Sequence, residues 1–150
     1  MEQRATFAPG NPFGVKRLPE AEGSATAERD AVVLRFAAEA IQAIEALDDW
    51  IGGDPYLDLM RARAYAESGD LKTATSFAEK ATQREPGLTV AWWRLVAFTL
   101  EQNDYKALSA TLSAMEEKQH QPVDDLLKDP AFADFLKSNE YRRWTTSRKK

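Results

Sequence analysis

A chain of 150 residues that is 43% hydrophobic and 10% aromatic is long enough to bury one proper core, so a single folded domain is expected. It contains no cysteine, which excludes disulfides, thiolate metal sites and cysteine nucleophiles. The net charge of −4 argues against a dedicated nucleic-acid binder, whose affinity depends on a concentrated positive face.

Residues 1–26 carry Pro9, Pro12 and Pro19 with Gly10, Gly14 and Gly23 and show no hydrophobic period, which predicts a flexible N-terminal arm. Its Phe7, Phe13 and Val15 are apolar enough to dock on the body. From Thr26 the pattern turns helical. Val33, Leu34, Phe36, Ala37, Ala40, Ile41, Ile44 and Leu47 recur at spacings of three and four, predicting one long helix over about 27–50. Gly52-Gly53 ends it, and Asp54-Pro55 restarts the chain as an N-cap followed by proline at the first helical position. A second helix over about 55–68 runs through Leu57, Leu59, Ala62, Tyr65 and Ala66 to the Gly69-Asp70 break. A third, about 71–84, uses Leu71, Ala74, Phe77, Ala78 and Ala81, and Pro86-Gly87 closes it. The fourth, about 89–102, sets Trp92, Leu95, Val96 and Thr99 on one stripe before the Asn103-Asp104 turn. The fifth, about 104–118, presents Tyr105, Leu108, Leu112 and Met115. After Pro122, short helices are expected near 123–127 and from Pro130, again behind an Asp cap.

No stretch alternates in the manner of a strand, so the fold class is all-α. Connections of two to five residues between helices of about fourteen imply antiparallel neighbours. The first thirty residues hold no apolar run behind a basic start, and no later stretch approaches the length of a membrane span, so a soluble, cytoplasmic protein without membrane contact is expected. The charge is uneven. Residues 140–150 carry +4 against −8 on the rest, and the basic tail, 145–150, reads as a frayed, solubilising terminus or as a contact for an acidic partner.

Shifting the sequence against itself by thirty-four residues lays Gly69-Asp70-Leu71 on Asn103-Asp104-Tyr105, Ala62 on Val96, Phe77 on Thr111 and Ala81 on Met115. A fixed period of this length marks stacked helical hairpins. The pattern resembles the tetratricopeptide repeat. With Pro55 as position 1, Ala62, Tyr65, Gly69, Ala74, Ala81 and Pro86 fall on the small, Tyr, Gly, Ala, Ala and Pro positions of that family, whereas Asp58, Arg61 and Leu71 depart from it. With Thr89 as position 1, Trp92, Leu95 and Tyr105 agree, while Val96, Thr99, Leu108 and Met115 depart and the proline comes late, at Pro122. The resemblance covers residues 55 to about 122. It implies a short α-solenoid of antiparallel hairpins over 27–144, with the first helix and the apolar C-terminal segment (Leu126-Leu127, Phe132, Phe135-Leu136, Tyr141, Trp144) acting as caps, because two repeats alone do not close a core.

Candidate chemistry is sparse. His120 lies between Gln119 and Gln121 with no neighbour at metal-ligand spacing, the pairs Asp48-Asp49, Glu116-Glu117 and Asp124-Asp125 diverge by about 100° on a helix, and no phosphate loop or nucleophile elbow is present. No enzyme activity, cofactor or metal is expected. The resemblance instead implies a groove lined by the first helix of each hairpin, here Tyr56, Leu59, Arg63 and Ala66, then Val90, Trp93, Ala97 and Leu100, with Arg94 beside them. Trp92 and Trp93 lie about 100° apart on the helix, so one indole belongs to the core and the other to the groove. Arg63 and Arg94 are suited to a peptide carboxylate or acidic side chain. The carboxylate clamp of chaperone-binding members is not reproduced, since Met60 and Arg94 stand at its position. The expected partner is another protein or peptide; self-association into a homo-oligomer or a larger assembly is the alternative.

Overall fold

The helices start and stop where backbone chemistry close by in the chain dictates. In the computed structural model, which describes residues 24–148, α1 spans Ser24–Ile51, α2 Pro55–Glu67, α3 Leu71–Arg84, α4 Thr89–Glu101 and α5 Tyr105–Gln119; two 3-10 turns, Leu126–Lys128 and Pro130–Phe132, lead into α6 (Ala133–Lys137) and α7 (Asn139–Arg148). No strand occurs among the described residues. The chain falls into two compact units, Met1–Val32 and Val33–Lys150. Of the first, Ser24–Val32 is the opening of α1. The expected docking of Phe7, Phe13 and Val15 lies outside the described residues, as does most of the arm.

Within the second unit the caps are explicit. Asp54 accepts hydrogen bonds from the backbone N–H of Tyr56 (2.7 Å) and Leu57 (3.3 Å), with Pro55 at the first position where no N–H is needed. Asp70 caps α3 through Thr73 N–H, and Asp104 caps α5 through Ala107 N–H, both at 3.0 Å. The turns that precede these two caps are alike bond for bond at the thirty-four-residue shift. Ser68 N–H donates to Ala64 O, Gly69 to Ala66 and Asp70 to Tyr65; Gln102 donates to Phe98, Asn103 to Leu100 and Asp104 to Thr99. Gly69 and Asn103 both adopt the left-handed conformation this turn requires, at φ +87° and +55°.

Successive helices pack on one another, α2 on α3, α3 on α4 and α4 on α5, and the C-terminal segment closes over α5. Two apolar clusters result. One joins Ala62, Ala74 and Ala78 to Leu95 and Phe98; its small residues let α2, α3 and α4 approach closely, and Tyr65 stacks on Phe77 at its edge (5.6 Å between centroids). The other gathers Trp92, Val96, Leu108, Leu112 and Met115 with Val123, Leu127, Phe132, Phe135 and Trp144. The capping role expected of the C-terminal apolar residues is thus met by Leu127, Phe132, Phe135 and Trp144, and Trp144 Nε1 donates to Ser113 Oγ on α5 at 2.7 Å.

Two local expectations are corrected. The segment expected as a helix near 123–127 is instead a 3-10 turn at Leu126–Lys128, because Val123 N–H donates to the Glu116 side chain. The basic stretch from residue 145 is not frayed through Arg148: α7 continues to that residue, whose guanidinium pairs with Glu116 and Asp124 and lies 4.5 Å from the Trp144 ring. Lys149 and Lys150 lie outside the described residues.

Candidate functional site

The geometry of α4 is set from its own N-terminus. Leu88 provides no side-chain cap. The Pro86 carbonyl instead accepts both Trp92 Nε1 (2.9 Å) and Gln119 Nε2 (2.6 Å), and Thr89 Oγ1 donates to Gln119 Oε1 at 2.6 Å. These bonds tie the start of α4 to the end of α5 and draw the Trp92 indole inward, where it is 6% exposed. One residue further along, about 100° round the helix, Trp93 is turned outward and 47% exposed.

The seven predicted site residues fall on α2 and α4. Tyr56 is 60% exposed, and Arg63, Arg94 and Ala97 are exposed, while Leu59 and Leu100 are half-buried. Arg63 and Arg94 meet at one open depression of about 490 Å³, which Ala66, Glu67 and Phe98 complete. Tyr56, Leu59, Trp93, Ala97 and Leu100 do not line it. Arg63 Nε is engaged with Glu67, 2.8 Å away on the next turn. Arg94 has no carboxylate partner among the described residues. The depression therefore offers one guanidinium with no carboxylate partner among the described residues, beside the Arg63–Glu67 pair, Ala66 and Phe98, with an exposed indole on the adjoining residue of α4.

A second polar constellation escaped the sequence reading. The sequence pattern marks Asp58 and Arg61 only as departures from the repeat, and the structure buries both: Asp58 is fully inaccessible and Arg61 is 9% exposed. Arg84 of α3 donates to Asp58 Oδ2 at 2.7 Å, Arg61 lies 3.8 Å from the other Asp58 oxygen, and Arg61 pairs with Asp48 of α1 at 2.9 Å. Arg61 also lies 5.2 Å from the centre of the Phe77 ring. Burial pushes the Asp58 carboxyl above its ordinary value, against the pull of Arg84 and Arg61. Asp48 is held below its ordinary value, first by the hydrogen bond from Gly53 N–H (3.1 Å) and then by Arg61. Two charged residues at interior positions of a helix are the signal that a buried ion cluster was present; the partners Asp48 and Arg84 give no such sign.

Of the other adjacent acidic residues, Glu116 accepts Val123 N–H and pairs with Arg148, and Asp124 also pairs with Arg148. His120 is an exposed, left-handed C-cap of α5 at φ +52°. Among the described residues no helix is long and apolar enough to cross a membrane, and no group of three or more His, Asp or Glu is placed to hold a metal ion. No protein-family model, curated protein or solved structure matches this chain.

Proposed function

We propose that this protein is a tetratricopeptide-like interaction module that holds a segment of another protein against the face formed by α2 and α4. The observation that carries the reading is Trp93. Trp93 leaves nearly half of its indole surface in water while the neighbouring Trp92 is anchored in the core, and Trp and Arg are the side chains that dominate binding energy at interfaces. The recurrence of turn, cap and left-handed residue at thirty-four positions supports the repeat, and the depression between Arg63 and Arg94 supports a peptide carrying a carboxylate beside an apolar side chain.

Selection of a displayed random-peptide library on the intact protein tests this. Enriched sequences are expected to bind the parent and to lose at least tenfold in affinity on Trp93→Ala, with the melting temperature of that variant nearly unchanged. A selection that enriches nothing, or peptides indifferent to Trp93, overturns the reading.

A further inference from the structure

α1 uses only part of its apolar surface within its own unit. Over Val33–Ile51 the buried residues are Ala37 (2% exposed) and Ile44 (6%), and the Asp48–Arg61 pair ties the end of the helix to α2. Beside that buried strip runs a second one. Val33, Phe36, Ala40, Ala43, Leu47 and Trp50 follow one another at strictly alternating spacings of three and four, which is the seam of a coiled coil. This seam faces water: Trp50 is 85% exposed, Phe36 59%, Val33 47% and Leu47 39%. Trp50 is the most exposed large apolar side chain among the described residues.

We propose that the seam pairs with the same seam of a second copy of this chain, the two α1 helices running antiparallel. The order of side-chain sizes argues for a second copy over any other occupant. About a two-fold axis midway between Ala40 and Ala43, Ala40 of one copy meets Ala43 of the other, Phe36 meets Leu47 and Val33 meets Trp50. The smallest residues thus sit where the helices cross and approach most closely, and the large ones interleave on either side, as an isologous interface requires. Charge favours the same orientation. Glu45 and Asp49 lie toward the C-terminal end of the helix, where Asp48 is taken up by Arg61, and toward the other end Arg35 is paired with Glu39. Antiparallel pairing sets the acidic end of one copy beside this neutral pair of the other, whereas parallel pairing sets acid against acid.

The exposed fractions of Val33, Phe36, Leu47 and Trp50 correspond to roughly 500 Å² per copy, about 1,000 Å² for the pair when fully covered, the size of a weak or transient interface. An interface of this size corresponds to a weak, reversible dimer, for which a micromolar dissociation constant is the range to search.

Sedimentation velocity of the intact protein between roughly 1 and 300 µM tests it, a range that spans such a constant. The expected result is a weight-average sedimentation coefficient that climbs from monomer to dimer. Ala43 is exposed, so Ala43→Lys should leave the circular dichroism and melting curve unchanged while holding the protein monomeric throughout, and Phe36→Glu should do the same. Trp93→Ala should dimerise like the parent, which separates this surface from the α2–α4 face. Because the chain has no cysteine, orientation is read by oxidising a mixture of Phe36→Cys and Leu47→Cys chains: the mixed disulfide should form, and neither variant should cross-link to itself. A parent that stays monomeric over the whole range, a dimer that survives both charge substitutions, or Phe36→Cys chains that cross-link to one another would overturn the proposal.

Discussion

The hairpins α2–α3 and α4–α5 share a backbone plan and differ in what fills it. At two positions related by the thirty-four-residue shift the second hairpin carries Trp92 and Leu95, both buried in apolar surroundings. The first carries Asp58 and Arg61 at the corresponding positions, also buried, and pairs them with Arg84 and Asp48. Helix geometry at these positions demands burial, not a particular chemistry. Where a neighbouring helix offers apolar atoms an indole fits, and where α1 and the end of α3 bring opposite charges an ion cluster does. The two solutions differ in robustness. Apolar contact is divided among many neighbours, whereas the fully buried Asp58 has a single hydrogen bond, from Arg84, and leaves one of its oxygens unpartnered.

That contrast breaks most visibly at Trp92. Trp92→Ala should lower the free energy of unfolding by about 3–5 kcal/mol, read by urea denaturation, since it removes a large core side chain together with the bond to Pro86. A loss under about 1 kcal/mol would mean that the second hairpin is not held by this residue.

In the first hairpin, Arg84→Ala removes the one hydrogen bond to the buried carboxylate and should cost about 2–3 kcal/mol. The same substitution made in an Asp58→Ala background should cost far less, because no buried charge is then stranded. Additive losses in this double-mutant cycle would show that the two side chains do not act as a pair.

The turns sharpen the comparison on a smaller scale. An added Cβ at Gly69 meets nothing within 4 Å, so Gly69→Ala isolates the backbone penalty of the left-handed conformation, about 1 kcal/mol. Asn103→Gly, at the equivalent turn, should be neutral or slightly stabilising. Opposite signs from these would contradict the equivalence of the turns.

Titration probes the ion cluster without disturbing it. Asp58 has its folded-state pKa raised, so the folded protein takes up that proton before the unfolded chain does; its contribution to stability is present below the ordinary value of 3.8 and is lost as pH rises through the raised one. Asp48 is lowered, so its contribution is present above 3.8 and is lost as pH falls through its folded-state value. Carboxyl-carbon NMR should place the two midpoints on opposite sides of 3.8, and midpoints on the same side would refute the assignment.

Much of the helical plan was legible in the chain. The Gly52-Gly53, Gly69-Asp70, Pro86-Gly87 and Asn103-Asp104 breaks all fall where the helices end, and the expected span of about 27–50 for the first helix is observed as Ser24–Ile51. The region after Pro122 was read less well, since the Glu116 side chain, seven residues back, shapes its entry. The candidate site was legible as a set of positions on α2 and α4. That Arg63 and Arg94 share a depression while Trp93 stands outside it was not, because helical spacing says which residues share a face but not how two helices tilt toward each other.

The sequence by itself determined where α1 to α5 begin and end, because caps, left-handed turns and prolines act on backbone groups only a few residues away. Only the tertiary structure decided which of Trp92 and Trp93 enters the core, that Asp58 is buried against Arg84 twenty-six residues on, and that Arg148 is tied back to Glu116. Those outcomes depend on what a distant segment brings to each position, and burial is a property of the assembled neighbourhood that no local pattern encodes.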